Sequence, residues 1–564
     1  MSTTAASRPS STQRQRALNQ LIINLPRLVI GLALLIFIGY FIVYCIYAFA
    51  LFQFPFDYDQ GEGFELMDTL LFSQGQWPYR DNNSYPFYSS NYPPLFHVAI
   101  VPLVWLFGTQ YWTGRLVSWV GTLLTAVFIS TAVHKAGKRW WLTTLSGLAF
   151  LASNYVYHVG PLFRQHMFMV MFETAAVVLM AHTIQREERE KRSYTAYLIG
   201  VMALLLLAGY TKQLAYATVI AVFAFWLLRQ PLRAIKWAIP FGIVTGLVFL
   251  WIDLSTDGYW FLNTVTANIN PFVPGQAQGL FRQWFRLHTV LIVVSAIYAI
   301  YQLYFERLSI YSVWFVVATI NSVTAGKWGA GESYFATAIA ASCILTGLAF
   351  HRVLKWGAGI GERGSGLKFT IYDLRFTKLL VSNLLLLGIG ILFIYQGGKM
   401  FHMPTHTPFL SGVAQAVGQP TEVMIAPQTS CSAPRPAESI PYVDSAGVSL
   451  LGRPPSPEDT LAGQEIAAFV ASGETAAFSE DASFNFYNNR DIVTNPTQLL
   501  NLYNNNSVDI TEMVTMLNNQ AFDTVVLRAQ FYPPPVLDAI GQQYETVKLV
   551  QMNGFVYCLM EPRN

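Results

Sequence analysis

The stretch Phe56-Asp57-Tyr58-Asp59-Gln60-Gly61-Glu62-Gly63 carries three carboxylates within six residues, directly after the first long apolar segment of the chain. Charged side chains are costly near the hydrocarbon of a bilayer, and where they do occur there they usually serve a function. If the preceding segment crosses a membrane, these carboxylates lie at the membrane surface where that segment ends. The stretch therefore predicts a polar functional site at the membrane surface.

The composition predicts a protein that crosses a membrane several times. Of the 564 residues, 53% are hydrophobic and only 12% are charged. Average soluble proteins have about 25% charged residues. The mean hydropathy is +0.37. The net charge of +3 is small and spread over loops, so no nucleic-acid partner is predicted.

Apolar segments of membrane-spanning length recur along the first two thirds of the chain. A helix needs about 20 apolar residues to cross a bilayer. Eleven spans are predicted, at residues 26–52, 111–134, 141–156, 163–183, 195–209, 213–228, 237–252, 288–305, 310–323, 335–350 and 378–397. Residues 94–107 are also apolar, but Pro94 and Gly108 bound them and Pro102 interrupts them, so we expect a helix that lies in the membrane interface.

The positions of the basic loops predict the orientation. Cytoplasmic loops carry an excess of Lys and Arg. With residues 94–107 in the interface, the basic loops fall on one side, and the longest of them is 351–378. This arrangement predicts a cytoplasmic tail at residues 1–25 and a transmembrane domain at 26–397. Residues 53–110 then form the first external loop.

Residues 398–564 differ in composition and contain no predicted span. They are rich in Asn, Pro, Ser and Asp, which predicts an external, periplasmic soluble α/β domain. Strands are predicted at 422–427, 524–527, 546–550 and 555–560, and a helix at 534–543. Cys431 and Cys558 fall in this region and form either a disulfide or two free thiols.

Motifs after the acidic stretch resemble those of a known family. Gly75-Gln-Trp-Pro-Tyr79-Arg-Asp81 is followed by Asn91-Tyr92-Pro93-Pro94-Leu95 at the start of the short apolar helix. In this order they resemble the first external loop of GT-C membrane glycosyltransferases, in the branch that includes protein O-mannosyltransferases and the lipid A aminoarabinose transferase. The resemblance covers about residues 50–350 and continues at Gly108 to Arg115, Arg164-Gln165-His166, Gly209 to Gln213, and Gly326 to Phe335.

The resemblance implies a GT-C-like helical fold and an inverting glycosyltransferase of the bacterial inner membrane. The donor would be a sugar on a polyprenyl phosphate. A hexosyl or pentosyl group would pass to a hydroxyl of a glycan, lipid or protein acceptor on the external face. Asp59 would be the catalytic base. Gln60 stands where the family usually has a second acid, so either Glu62, the first choice, or Asp57 would assist.

The leaving phosphate needs cations in a site of low dielectric constant. Lys212 is the foremost candidate, because it interrupts the otherwise apolar run 195–228. Each candidate cation could instead anchor the protein at the interface. The other predicted substrate contacts are Asp57, Tyr92, Arg164, Arg282, Arg286, Lys327, Glu332 and Tyr334. No cofactor is required by this reading, although Asp59, Glu62 and Glu332 could converge on Mg²⁺ or Mn²⁺.

Two other classes of function stay open. One is a flippase for lipid-linked sugars, or another transporter. Transporters are typically built from repeats with polar residues near the membrane midplane; no repeat is evident, and the isolated charges cluster on one face. The other is a non-catalytic protein of envelope glycan assembly, in which the loop carboxylates would be dispensable.

Overall fold

The structure is a computed structural model that describes residues 11–363, 371–401, 408–416, 454–528 and 530–564. Helices dominate the chain up to residue 401. They are α1 (Ser11–Gln53), α2 (Glu62–Ser73), α3 (Leu95–Phe107), α4 (Tyr111–Gly137), α5 (Trp140–Ala152), α6 (Asn154–Tyr157), α7 (His166–Glu190), α8 (Thr195–Thr211), α9 (Tyr216–Arg229), α10 (Pro231–Leu254), α11 (Tyr259–Thr264), α12 (Pro274–Leu287), α13 (Thr289–Phe305), α14 (Ile310–Asn321), α15 (Ala336–Arg363) and α16 (Ile371–Met400).

Six helices of the described part are long and apolar enough to cross a membrane. They are α1, α4, α7, α10, α15 and α16. A seventh span results if α12 and α13, which meet at a bend of 91°, are counted as one broken span. The protein is therefore a multi-pass membrane protein.

The remaining predicted spans coincide with shorter helices. Four apolar helices of 10–17 residues occur where spans were predicted, namely α5, α8, α9 with the 3₁₀ turn before it, and α14 with the 3₁₀ turn after it. The total of eleven spans, the orientation and the domain limits stay predictions. Residues 95–107 form the short apolar helix α3, whose location in the interface also stays a prediction.

The C-terminal part contains a small mixed sheet with helices around it, as the sequence predicted. Its strands are β1 (Phe478–Ser479), β2 (Val525–Leu527), β3 (Tyr544–Met552) and β4 (Phe555–Pro562), in the order β1-β2-β4-β3. The first pair is parallel, and the others are antiparallel. Its helices are α17 (Pro408–Ala416), α18 (Pro457–Ser472), α19 (Ser483–Tyr487), α20 (Pro496–Asn504), α21 (Thr511–Asn518) and α22 (Pro534–Gln543). The predicted strand at 422–427 and Cys431 lie outside the described residues.

Phe56, in the acidic stretch, packs directly against the C-terminal part. Its ring lies 5.3 Å from that of Tyr487 and 5.8 Å from that of Phe484, measured between centroids. Gly463 of α18 packs against the same ring, where a Cβ would lie 2.3 Å from a ring carbon. The hydrophobic core is accordingly continuous between the transmembrane and C-terminal parts.

Polar contacts extend this docking over the first external loop. Gln498 of α20 donates a hydrogen bond of 2.9 Å to the side-chain oxygen of Asn263, which also accepts one of 3.0 Å from Asn82. Phe87 and Thr494 form an isolated parallel bridge. The C-terminal domain is thus seated on the segment that contains the acidic stretch.

Gly63 of α2 is packed closely against the C-terminal domain. A Cβ added to Gly63 would lie 2.6 Å from Cβ of Ala482 and 2.8 Å from Oδ1 of Asp57. Replacing a helical Gly with Ala normally stabilises a protein by about 0.5–1 kcal/mol. Here we expect Gly63→Ala to destabilise it, by about 1–3 kcal/mol, because the contact is overpacked.

Thermal unfolding of the purified protein in detergent measures this effect. Gly279 of α12 is the matched control, because a Cβ there meets nothing within 4 Å. Gly279→Ala should leave the melting temperature unchanged or raise it. A Gly63→Ala protein as stable as the Gly279→Ala protein would show that the domains are not packed in this way.

Candidate active site

A buried ion pair fixes the loop that carries the carboxylates. Glu62 is the first residue of α2, and Arg115 lies in the second turn of α4. The Nε and Nη2 atoms of Arg115 donate to the two carboxylate oxygens of Glu62 at 2.9 and 2.7 Å. Backbone N–H groups of Tyr58 and Phe163 donate to the same carboxylate at 3.0 and 2.7 Å. Both charged side chains are fully buried.

The remaining donors of Arg115 bind backbone carbonyls around the end of α1. They contact the carbonyl oxygens of Leu51, Phe54 and Phe56 at 2.5, 2.5 and 2.8 Å. Burial alone would raise the pKa of Glu62, but the adjacent Arg115 outweighs it and holds that pKa below its usual range. The sequence interpretation of Glu62 as a partner of the catalytic base is therefore revised, because its oxygens are committed to holding the loop.

Asp57 faces the C-terminal domain. Its Oδ2 lies 3.4 Å from the backbone N–H of Ser483, and its carbonyl accepts from Asn553 at 3.4 Å. Burial, with the neighbouring carboxyl of Asp481, raises the pKa of Asp57 well above its usual value. Asp57 does not line the cavity described below, so the expectation that it binds substrate is also revised.

A cavity of about 230 Å³ lies between the membrane helices and the C-terminal domain. Six of the residues predicted from the sequence line it together: Asp59, Tyr92, Arg164, Lys212, Glu332 and Tyr334. These residues come from separate loops and helix ends. The cavity wall therefore carries both carboxylates and cations.

Asp59 is held by Arg164 at the cavity wall. Nε and Nη2 of Arg164 both contact Oδ2 of Asp59, at 2.6 and 2.5 Å. Among the described residues, none forms a hydrogen bond with the other oxygen, Oδ1. Arg164 also reaches Oε1 of Glu65 at 3.5 Å. The side chain of Asp59 is 13% exposed, so it is accessible to a ligand while its orientation is fixed.

Lys212 is a buried cation at the break between α8 and α9. The residue adopts an extended conformation after α8 ends and before a 3₁₀ turn begins. Its Nζ lies 4.2 Å from the ring centroid of Tyr92, a cation–π distance. No carboxylate of the described residues lies within 4.0 Å of Nζ. Burial lowers the pKa of Lys212 to about 7.

The loop before α15 contributes Glu332 and Tyr334 to the cavity. Oε1 of Glu332 lies 2.7 Å from Nε2 of His158. The ring of Tyr334 packs 5.5 Å from that of His166, another cavity residue. Gln276 of α12 fixes the loop, because its amide donates to the carbonyl oxygens of Ala325 and Ala330 at 2.8 and 2.9 Å.

Three predicted cations do not reach this cavity. Arg282 and Arg286 are exposed on α12, whose opposite side buries Leu280 and Trp284. Lys327 is half-buried in the loop that Gln276 holds, and it does not line the cavity. The sequence could not separate these cations from Arg164 and Lys212, since all five lie near predicted span ends.

The predicted metal ligands are not gathered together, because Glu62 pairs with Arg115 and Glu332 with His158. A different group is able to hold a metal ion. Ligand atoms of Glu65, Asp68 and His97 all lie within 4.8 Å of one another and are buried. Nε2 of His97 is 3.3 Å from Glu65 and 3.7 Å from Asp68.

Several cavity residues were not predicted from the sequence. Glu65 and Asp68 follow Glu62 at helical spacing on α2, which was the available signal. The C-terminal domain supplies Asn495, Thr497 and Phe531. No sequence pattern marked those three, because their role depends on how the two parts dock.

Comparison with known proteins identifies the fold. No protein-family model and no curated protein sequence matches the chain. Crystal structures of ArnT from Cupriavidus metallidurans, one apo and one bound to undecaprenyl phosphate, are similar to it at a TM-score of 0.53 and 15% identity. Each alignment covers 94% of this chain and 98% of ArnT.

An apo oligosaccharyltransferase from Archaeoglobus fulgidus is also similar, at a TM-score of 0.42 and 12% identity, over 76% of this chain and 64% of that one. The likeness to ArnT shows the fold. The predicted GT-C fold is therefore confirmed.

The two loop carboxylates Glu62 and Asp59 should differ in their effects on stability. Removing one partner of a buried ion pair destabilises a protein by about 3–5 kcal/mol, because the other charge stays buried and unpaired. We expect that loss for Glu62→Gln. Asp59→Asn should cost less, because its ion pair is partly exposed to water and is screened. Thermal unfolding in detergent measures both, and a Glu62→Gln protein that melts with the wild type would contradict the assignment.

Proposed function

We propose that this protein, which has the GT-C fold, is an inverting glycosyltransferase. It moves a hexosyl or pentosyl group from a polyprenyl-phosphate-linked donor to a hydroxyl of a glycan, lipid or protein acceptor. The reaction takes place on the external face of the bacterial inner membrane, and residues 398–564 lie on that side. One observation carries the proposal: a single cavity joins an accessible, oriented carboxylate, Asp59, to a buried cation, Lys212, whose Nζ has no carboxylate of the described residues within 4.0 Å.

Asp59 acts as the general base. A carboxylate within hydrogen-bond reach can take the proton of an attacking hydroxyl as the new bond forms. The acceptor oxygen attacks the anomeric carbon on the side opposite the phosphate, and the bond from that carbon to the phosphate oxygen breaks. The anomeric configuration therefore inverts. Arg164 orients Asp59 through Oδ2, so that Oδ1 is left for the acceptor.

Lys212 stabilises the leaving polyprenyl phosphate. A cation in a site shielded from water stabilises developing negative charge more strongly than it would in water. Lys212 is 3% exposed, and the ring of Tyr92 fixes its Nζ. The ArnT structure bound to undecaprenyl phosphate supports this assignment, since it has the same fold and holds a lipid phosphate. Arg164 adds positive charge to the wall of the same cavity.

The base assignment is tested with Asp59→Asn in the purified protein. We expect transfer from an undecaprenyl-phosphate-linked sugar to fall by about 10²–10⁴-fold, the usual contribution of a general base. Binding of undecaprenyl phosphate should persist, because Lys212 is untouched. Asp538→Asn, on an exposed face of α22, is the matched control and should retain full transfer.

Retained transfer by Asp59→Asn would overturn the assignment of the base. A wild-type protein that binds and translocates the lipid-linked sugar without transferring it would instead identify a flippase.

The phosphate assignment predicts a pH dependence. Burial lowers the pKa of Lys212 to about 7, so the empty site loses its charge as the pH rises above 7. Affinity for undecaprenyl phosphate should therefore fall by about tenfold or more between pH 6.5 and pH 8.5. Lys212→Arg is the control, because guanidinium stays charged over this range.

Titration of the lipid phosphate itself affects both proteins alike and cancels in the comparison. Equal pH dependence of the wild type and Lys212→Arg would contradict the role of Lys212.

A further inference from the structure

His158 and Glu332 form a buried pair at the cavity wall. His158 follows α6 and is fully buried. Its Nδ1 contacts the backbone carbonyl oxygen of Asn154, and its Nε2 lies 2.7 Å from Oε1 of Glu332. The imidazole is therefore held at both nitrogens, which fixes the orientation of the ring.

The contacts of His158 determine how many protons the pair holds. A carbonyl oxygen only accepts, so Nδ1 must carry a proton and donate it. The contact between Nε2 and Oε1 then requires a second proton, which sits on one of these two atoms. The pair is either imidazolium and carboxylate, or neutral imidazole and carboxylic acid. In both forms Oε1 is occupied by His158.

The second oxygen of Glu332 has no partner among the described residues. Oε2 is buried, and Glu332 lines the cavity. Leaving a buried acceptor unsatisfied costs free energy, and such a group in a cavity is suited to a donor that a ligand brings. In both proton arrangements Oε2 is free to accept.

The surroundings of Glu332 have the composition of a small-molecule binding site. Trp328 and Phe531 line the same cavity with their rings edge to face, 5.9 Å apart. Trp328 belongs to the loop before α15, and Phe531 belongs to the C-terminal domain. Sites of this kind combine aromatic walls with a few placed polar groups that fix the orientation of the ligand.

We infer that Oε2 of Glu332 accepts a hydrogen bond from a hydroxyl of a carbohydrate bound in the cavity, and that His158 is the positioning residue that aims this oxygen. The inference rests on the proposed function and assigns one contact of its substrate. The hydroxyl belongs either to the donor sugar or to an acceptor glycan. Asp59 keeps the role of base, and Glu332 contributes to affinity and specificity.

The experiment compares binding of undecaprenyl phosphate with binding of undecaprenyl-phosphate-linked mannose and arabinose to the purified full chain. For each sugar, the ratio of the dissociation constant of the bare lipid phosphate to that of the sugar-linked form measures the contribution of the sugar to affinity. For Glu332→Leu, which removes the acceptor oxygen that Gln would keep, we expect the bare lipid phosphate to bind as to the wild type, while the sugar contribution falls by about tenfold. Glu474→Leu, on an exposed face of the C-terminal domain, is the matched control.

His158 variants separate positioning from a structural role. His158→Gln keeps an N–H that can donate to Oε1 and should retain most of the sugar contribution. His158→Leu removes that donor and should behave like Glu332→Leu. A His158 whose role is only packing would give the opposite order, since Leu replaces apolar volume better than Gln does.

A second arm assigns the hydroxyl to its source. It measures KM for transfer to an extract of bacterial envelope lipids. An unchanged sugar contribution to donor binding with a roughly tenfold higher KM in Glu332→Leu places the hydroxyl on the acceptor and supports the inference.

Two outcomes overturn the inference alone. In one, the sugar contribution to donor binding and KM are both unchanged in Glu332→Leu. In the other, binding is intact and only kcat is lost, which would make Glu332 a base. A wild-type protein that does not bind undecaprenyl phosphate overturns the proposed function itself, and the inference falls with it.

Discussion

The ion pair between Glu62 and Arg115 sets the geometry on which the cavity depends. Arg115 satisfies one carboxylate and three backbone carbonyls at once, and so joins the start of α2 to the end of α1 and the loop between them. Two unpaired charges in that position would be strongly destabilising, but together they are stable because every donor has a partner. With the loop held in this way, Asp57 lies against the C-terminal domain and Asp59 lies at the cavity.

The cavity is a composite of both parts of the chain. Asp59 comes from the loop before α2, Lys212 comes from the break between α8 and α9, and the loop before α15 supplies Glu332. Asn495, Thr497 and Phe531 of the C-terminal domain complete the wall. Groups fixed by separate rigid elements are pre-organised, and pre-organisation is the main source of electrostatic stabilisation in catalysis. The C-terminal domain is thereby part of the site as well as its cover.

The sequence predicted the features that are visible within a short segment of the chain. Lys212 was recognisable because a charge in an apolar run is rare, and the α/β character of the tail was recognisable from its strand and helix patterns. The roles of Glu62 and Asp57 were not predictable, since three neighbouring carboxylates look alike until their partners are known. The partners of Arg115 and His158 were not predictable, because they lie more than fifty residues away in sequence.

The most direct measurement is an experimental structure of the full chain in a lipid nanodisc with undecaprenyl phosphate bound. We predict that the phosphate lies in the cavity, within hydrogen-bond distance of Nζ of Lys212, with Oδ1 of Asp59 on the far side of the sugar position. A phosphate bound instead against Arg282 and Arg286 on the exposed side of α12, with the cavity empty, would contradict it.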